Sequence, residues 1–227
     1  MKKFISVILA IGMVMCVAGC QKCEKPNYSI ETELYCEDEI SIKYPQVRDL
    51  DDDMKEKEIN NLIKDDLIKV GIHREGWQHR GKLVLSLDYE IKMQTDKILS
   101  ILYIGDSYFY TGFPIREDDY RHTSQAYAIN INLENVTKLE LSDFTNIDME
   151  LVKKVKNAKY ATNRAVIGGI RTGEDLQEEV RSDWDDCLLS EFKSDYYHMF
   201  CVTPDSLILG VSISLAGGHY ALVEIPR

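Results

Sequence analysis

Basic residues are in short supply. The 227-residue chain carries 27 Lys and Arg against 38 Asp and Glu, a formal net charge of −11. A surface this acidic argues against nucleic-acid binding and against direct attraction to anionic lipid. Long apolar runs are equally scarce. Phe4 to Val17 is the single such stretch, and it falls short of the ~20 apolar residues that a membrane-spanning helix requires. Chemical motifs are missing too. There is no GxGxxG, GxSxG or HExxH. Gly71 to Gly76 starts like a phosphate loop, but Trp77 stands where the phosphate-contacting Lys is needed. No two of His73, His79, His122, His198 and His219 have the i, i+4 spacing that turns two imidazoles onto one metal. Asp49, Asp51 and Asp53 alternate as in a calcium loop, yet Met54 replaces its turn Gly and Asn60 its bidentate Glu. Neither a metal nor a cofactor is expected, and there is no solenoid repeat.

What is present begins with the leader. Lys2 and Lys3 precede the apolar stretch, and Val17-Ala18-Gly19-Cys20 follows it. A short basic region, an apolar core and small residues before a cleavage point make an export signal. The tetrad has the form of a bacterial lipobox, so residues 1–19 read as a lipoprotein signal peptide and Cys20 as the lipid-bearing N-terminus. A diacylglyceryl group with a further acyl chain (palmitate-type) would hold the mature protein stably to the outside of the cell membrane. The competing reading is an ordinary secretory signal that contains a Cys. Loss of Lys2 and Lys3 leaves 25 basic and 38 acidic residues, or −13. That charge fits a basic partner, or solubility alone.

Cys16 leaves with the leader and Cys20 is acylated, which leaves Cys23, Cys36, Cys187 and Cys201 in a compartment that permits disulfides. Proximity in sequence suggests the local pairs Cys23–Cys36 and Cys187–Cys201. The alternative is free thiols, some buried as small apolar residues.

Residues 20–27 read as a tether. From Tyr28, Ile30, Thr32, Leu34 and Cys36 share the more apolar face of a strand, and Glu39 to Tyr44 forms a second strand stopped by Pro45. Ile59, Leu62, Ile63, Leu67 and Val70 recur at helical spacing, so Asp51 to Val70 is a helix started by three aspartates and ended by Gly71. Leu83 to Met93 alternates strictly. Ile98 to Ile104 follows, then a Gly105-Asp106 turn, a strand at Ser107 to Thr111, a charged loop from Gly112 to Ser124, and a strand from Tyr127 to Leu133. Helices are expected at Met149–Ala161 and Gly173–Phe192. Strands at Tyr196–Thr203, Leu207–Leu215 and Tyr220–Ile225 close the chain. The fold class is α+β: an antiparallel sheet meander packed with about three helices, over residues 28–227, divisible into closely packed parts at 28–145 and 146–227.

Two acidic clusters stand out, Glu117-Asp118-Asp119 beside Tyr120, and Asp183, Asp185 and Asp186 around Trp184. As a binding surface they combine charge with aromatic area. Carboxylates also serve a hydrolase when burial or neighbours split their pKa values, but clusters in polar stretches are usually solvated.

Four stretches carry a family likeness. They are Ile42-Lys43-Tyr44-Pro45-Gln46 with Glu58 to Ile63; Tyr89-Glu90-Ile91 with Ile98 to Ile101 and Gly105 to Tyr110; Tyr127 to Leu133 with Leu139 to Phe144; and Phe200 to Pro226. In these the chain resembles the ectodomain family of the lysozyme-sensing anti-sigma factor RsiV, a module also found as the non-catalytic N-terminal part of certain peptidoglycan deacetylases. Where that family often has Gly-Gly-Ala-His, this chain has Thr111-Gly112-Phe113-Pro114. The resemblance implies an extracytoplasmic, non-enzymatic envelope module whose ligand is a basic, lysozyme-like protein. A cell-wall glycan stacking on Trp77 or Trp184 is the alternative.

Overall fold

The computed structural model describes residues 26–72, 83–110, 120–160, 165–166, 169–170, 185–194, 197, 199–212 and 220–227. These form an α+β fold. Strands β1 (Ser29–Glu37), β2 (Ile40–Arg48), β3 (Leu83–Gln94), β4 (Ile98–Tyr110), β5 (Tyr120–Asn132) and β6 (Thr137–Lys138) make a six-stranded sheet in that order. A second sheet has the order β10 (Phe200–Val202), β11 (Ser206–Ser212), β12 (Tyr220–Pro226) and β7 (Lys159–Tyr160). A short hairpin pairs β8 (Ala165–Val166) with β9 (Gly169–Ile170). Helix α1 (Asp53–Asp66) lies on the outer face of the first sheet. Helices α2 (Met149–Asn157) and α3 (Asp185–Phe192) lie on the outer face of the second.

Strand alternation explains this layering. In β4 and β5, Leu99, Ile101, Tyr103, Tyr127, Ile129 and Ile131 face α1, where Ile59, Ile63 and Leu67 meet them. Leu102, Ala126 and Ala128 point the other way and pack on Cys201, Tyr220 and Leu222 of the second sheet. Beyond it, Leu207, Leu209, Val211 and Val223 meet Leu151, Val155, Leu188 and Phe192 of the helices. Central strands covered on both faces are apolar on both, which blurs the alternation that a half-exposed strand shows.

Several elements depart from the sequence expectation, each for a local reason. The first sheet is not a pure meander. β2 and β3 pair in parallel over Ile40–Ile42, because α1 forms the crossover between them. β2 continues through Pro45 to Arg48. Val47 directs its N–H and C=O away from β1, to Asn60, and Pro45 two residues earlier faces the same side, where the β3 ladder has already ended at Ile42. Leu34 and Cys36 are exposed, since β1 is the edge strand and nothing among the described residues covers that part of it. The acidic start of α1 is as expected: the Asp52 side chain caps it, accepting from the N–H groups of Met54 and Lys55 at 3.0 and 3.1 Å. Gly71 does not end the helical path, which widens into a π-helical segment over Leu67–Ile72.

β4 runs unbroken through Gly105 and Asp106, where a turn was expected, and Tyr120 opens β5 opposite Tyr110 instead of lying in a loop. A register shift between Ile91 and Met93 turns Met93 to the second sheet's core, against strict alternation. Helix α2 stops at Asn157, and of the expected helix from Gly173 only α3 lies in the described residues.

Asn60 shows how a buried polar residue finishes β2. Its Oδ1 accepts from Val47 N–H at 2.8 Å and its Nδ2 donates to Val47 C=O at 2.9 Å, so one amide substitutes for a neighbouring strand. Asn60→Leu leaves both backbone groups buried without partners. The expected loss is about 2–3 kcal/mol in urea unfolding, against almost none for Asn61→Ala on the exposed face. Equal midpoints for the two variants would show that the amide contributes nothing.

Candidate functional site

The sequence candidates are placed unevenly. Cys20, Cys23, Glu117, Asp118, Asp119, Asp183 and Trp184 lie outside the described residues, and of Tyr120 only the backbone is described. Asp185 and Asp186 form the first turn of α3, where carboxylates oppose the positive end of the helix. Both are exposed, and Lys156 of α2 donates to Asp185 Oδ1. The ion pair ties α3 to α2 at the surface. An exposed, salt-bridged carboxylate of this kind is not the desolvated group that acid–base chemistry requires.

The other end of α3 opens on a cavity of about 430 Å³ lined by Glu140, Leu141, Ser142, Phe192, Lys193 and Tyr197, among others. The 3₁₀ turn Leu141–Asp143 builds one wall. Glu140 N–H donates to the Asp143 carboxylate at 2.7 Å, which holds Glu140 at the rim. Tyr197 builds the floor. Its hydroxyl donates to Gly210 C=O at 2.8 Å, and burial pushes the phenol's pKa well up, with Glu191 adding to the shift. Apolar rings below and a carboxylate, hydroxyls and an ammonium around the mouth suit a small polar ligand with an apolar face.

A third polar cluster was missed by the sequence reading. Asp66 ends α1 with 7% exposure, and Lys138 of β6 donates to its Oδ1 at 2.6 Å. Below it, Tyr89, Tyr103 and Tyr127 stand opposite one another on β3, β4 and β5. The rings of Tyr103 and Tyr127 stack at 4.6 Å with 9° between planes. Burial raises both phenols' pKa values well above the usual range, and the Asp66 charge adds to each. The signal was in the sequence. Asp66 falls seven residues after Ile59 and three after Ile63, on the apolar stripe itself.

Among the described residues, Cys36, Cys187 and Cys201 are free. The expected Cys187–Cys201 pair is absent: Cys187 is exposed on α3, while Cys201 is fully buried between the sheets. Cys36 is likewise unpaired and exposed, not buried as its apolar strand face suggested. Burial pushes the Cys201 thiol up to about 12, leaving little thiolate at neutral pH. Iodoacetamide is therefore expected to label Cys36 and Cys187 in the native protein and Cys201 only after unfolding. Peptide mass mapping checks this, and equal native labelling of all three would contradict the packing of β10.

These features define an α+β protein with two mostly antiparallel sheets face to face and helices outside. No family model matches the sequence, and no curated protein matches it. Its structural neighbours are DUF3298 family proteins. One, from Bacteroides fragilis, aligns with a TM-score of 0.47 and 12% identity over 89% of this chain and 92% of that one. Another, from Pseudomonas aeruginosa, aligns with a TM-score of 0.42 and 12% identity over 88% of each chain.

Proposed function

We propose that this protein is a lipid-anchored, non-enzymatic binding module of the bacterial cell envelope, and that its ligand is a basic protein of the lysozyme-like kind. The observation that carries this reading is the acidic surface. Glu31, Glu33, Glu37, Asp38 and Glu39 are exposed along β1 and its turn, and Asp185 and Asp186 on α3. With 25 basic and 38 acidic residues in the mature chain, a net charge of −13, such a surface speeds and orients encounter with a cationic partner. The lipobox at Cys20 supports the anchoring, and the likeness to the RsiV-like ectodomain family supports the partner class.

The test is titration of the mature lipoprotein in detergent micelles against lysozyme at two salt concentrations. Binding is expected at low salt, with an association rate falling about tenfold or more between ~0.05 and ~0.3 M salt. No binding at low salt removes the protein-ligand reading. A glycan ligand is the second reading, favoured by the cavity beneath Glu140 and Lys193. In a parallel arm, peptidoglycan fragments would then give a calorimetric binding signal where lysozyme gives none.

A further inference from the structure

We propose that Asp66 Oδ2, Tyr103 Oη and Tyr127 Oη together hold one resident water molecule, a hydration site built into the core between α1 and the six-stranded sheet. Each of these atoms is buried and has no hydrogen-bond partner among the described residues, and the three residues are 7%, 0% and 4% exposed. They come from three elements, the end of α1, β4 and β5: Tyr103 and Tyr127 are paired across β4 and β5, Leu67 next to Asp66 packs in the same core as both rings, and Lys138, which holds Asp66, pairs with Ile131 of β5. Ile63, Leu67, Leu99, Ile101 and Ile129 belong to the same core, and the other polar groups nearby among the described residues have partners of their own: Lys138 on Asp66 Oδ1, Tyr44 on Glu33 and Tyr89 on Thr32. Buried polar atoms in native proteins are almost always hydrogen-bonded, to protein or to ordered water.

Chemistry narrows the ligand. Asp66 is already countered by Lys138 at 2.6 Å, so a bound cation would leave excess positive charge in the core, and an anion would face the carboxylate. The ligand is therefore neutral. Enclosure by such deeply buried groups makes it small. Its bonding pattern follows from the inventory of groups: each phenol donates, and Oδ2 accepts. Water supplies two lone pairs for the phenols and an O–H for the carboxylate, three bonds in all, the usual number for a buried water. The stacking distance agrees. Two hydrogen bonds of about 2.8 Å meeting at a tetrahedral angle span about 4.6 Å, and the centroids of the two near-parallel, cross-strand paired rings lie 4.6 Å apart, which sets their hydroxyls side by side on that scale.

The site explains why an aspartate occupies the apolar stripe of α1. It is also independent of what the surface binds.

A high-resolution crystal structure of the full chain tests the proposal. The expected result is one fully occupied water within hydrogen-bond distance of all three oxygens. Direct bonding among the three groups overturns it, as does a peak at about 2.4 Å from them, the spacing of a metal cation. Oxygen-17 relaxation dispersion gives a second readout in solution. The Tyr103→Phe/Tyr127→Phe variant is expected to hold one long-lived water fewer than the wild type, and an unchanged count overturns the proposal. Should that variant not fold, Tyr127→Phe alone removes one of three bonds and should shorten the residence time about tenfold. An unchanged residence time counts against the site equally.

Discussion

Gly105→Ala is expected to destabilise the protein by at least about 3 kcal/mol. Gly105 sits in mid-strand, paired with Leu87 on β3 and Gln125 on β5. A Cβ there would lie 1.8 Å from Ser86 O, 2.7 Å from Leu87 Cδ2 and 2.8 Å from Leu87 Cα. Two of those three atoms are backbone, locked in the β3 ladder, so no rotamer change relieves the overlap. β3 and β4 would have to separate, and Leu85, Leu87, Ile101 and Tyr103 of the α1 core pack across that seam. The urea midpoint is expected to fall by about 1 M or more, with failure to accumulate folded protein as the extreme outcome. A midpoint within about 0.2 M of wild type would mean that the two strands do not approach this closely.

The second large effect concerns the contact between the sheets. Ser100 and Asn130 stand opposite one another on β4 and β5 and face β10. Ser100 Oγ donates to Asn130 Oδ1 at 2.6 Å, Asn130 Nδ2 donates to Phe200 C=O at 2.9 Å, and Val202 N–H donates to Ser100 Oγ at 2.9 Å. β10 is an edge strand, so these two side chains satisfy backbone groups that would otherwise be buried without partners. Both side chains are themselves almost fully buried, at 0% and 1% exposure. Asn130→Ala leaves the Phe200 carbonyl without its donor and Ser100 Oγ without its acceptor, and it opens a small cavity. The expected cost is about 3–5 kcal/mol. Ser100→Ala orphans the Val202 N–H and Asn130 Oδ1, at about 2–3 kcal/mol. The double variant separates a network from two independent bonds. Removing both side chains should cost at least about 1 kcal/mol less than the sum of the singles. Strict additivity would show that Ser100 and Asn130 act separately.

Both predictions rest on residues that looked unremarkable in the sequence. Gly105 beside Asp106 reads as a turn, because that dipeptide usually marks one. In the structure the glycine lies within β4 and makes room for the β3 backbone. Asn130 reads as the polar face of an alternating strand, and a second sheet covers that face. Asp66 and Asn60 sit among the charged residues of an amphipathic helix, yet both are buried on partners far along the chain, Lys138 and Val47. In each case residue type and spacing are local facts, while burial depends on which remote element packs on top.

The acidic surface divides the same way. That Asp185 and Asp186 would be exposed was legible, because acidic clusters in polar stretches are normally solvated. The tie of Asp185 to Lys156 was not, since it joins two helices in the second sheet's outer layer. The cavity at the far end of α3 had no local signal at all. Glu140, Phe192 and Tyr197 meet only because the chain returns to that point after some fifty residues.

From the sequence alone came the acidic balance, the α+β class, the acidic start of α1 and the period of β5, with the leader and its Cys20 anchor as expectations. These depend on composition and near-neighbour spacing, which sterics and solvation translate directly into helix, strand or leader. The tertiary structure alone decided the parallel β2–β3 pair, the two-faced burial of the first sheet, the free state of Cys201, the Ser100–Asn130 bridge and the Asp66 cluster. Each of these is set by where distant segments meet, and by whether a polar group taken from water finds a partner there.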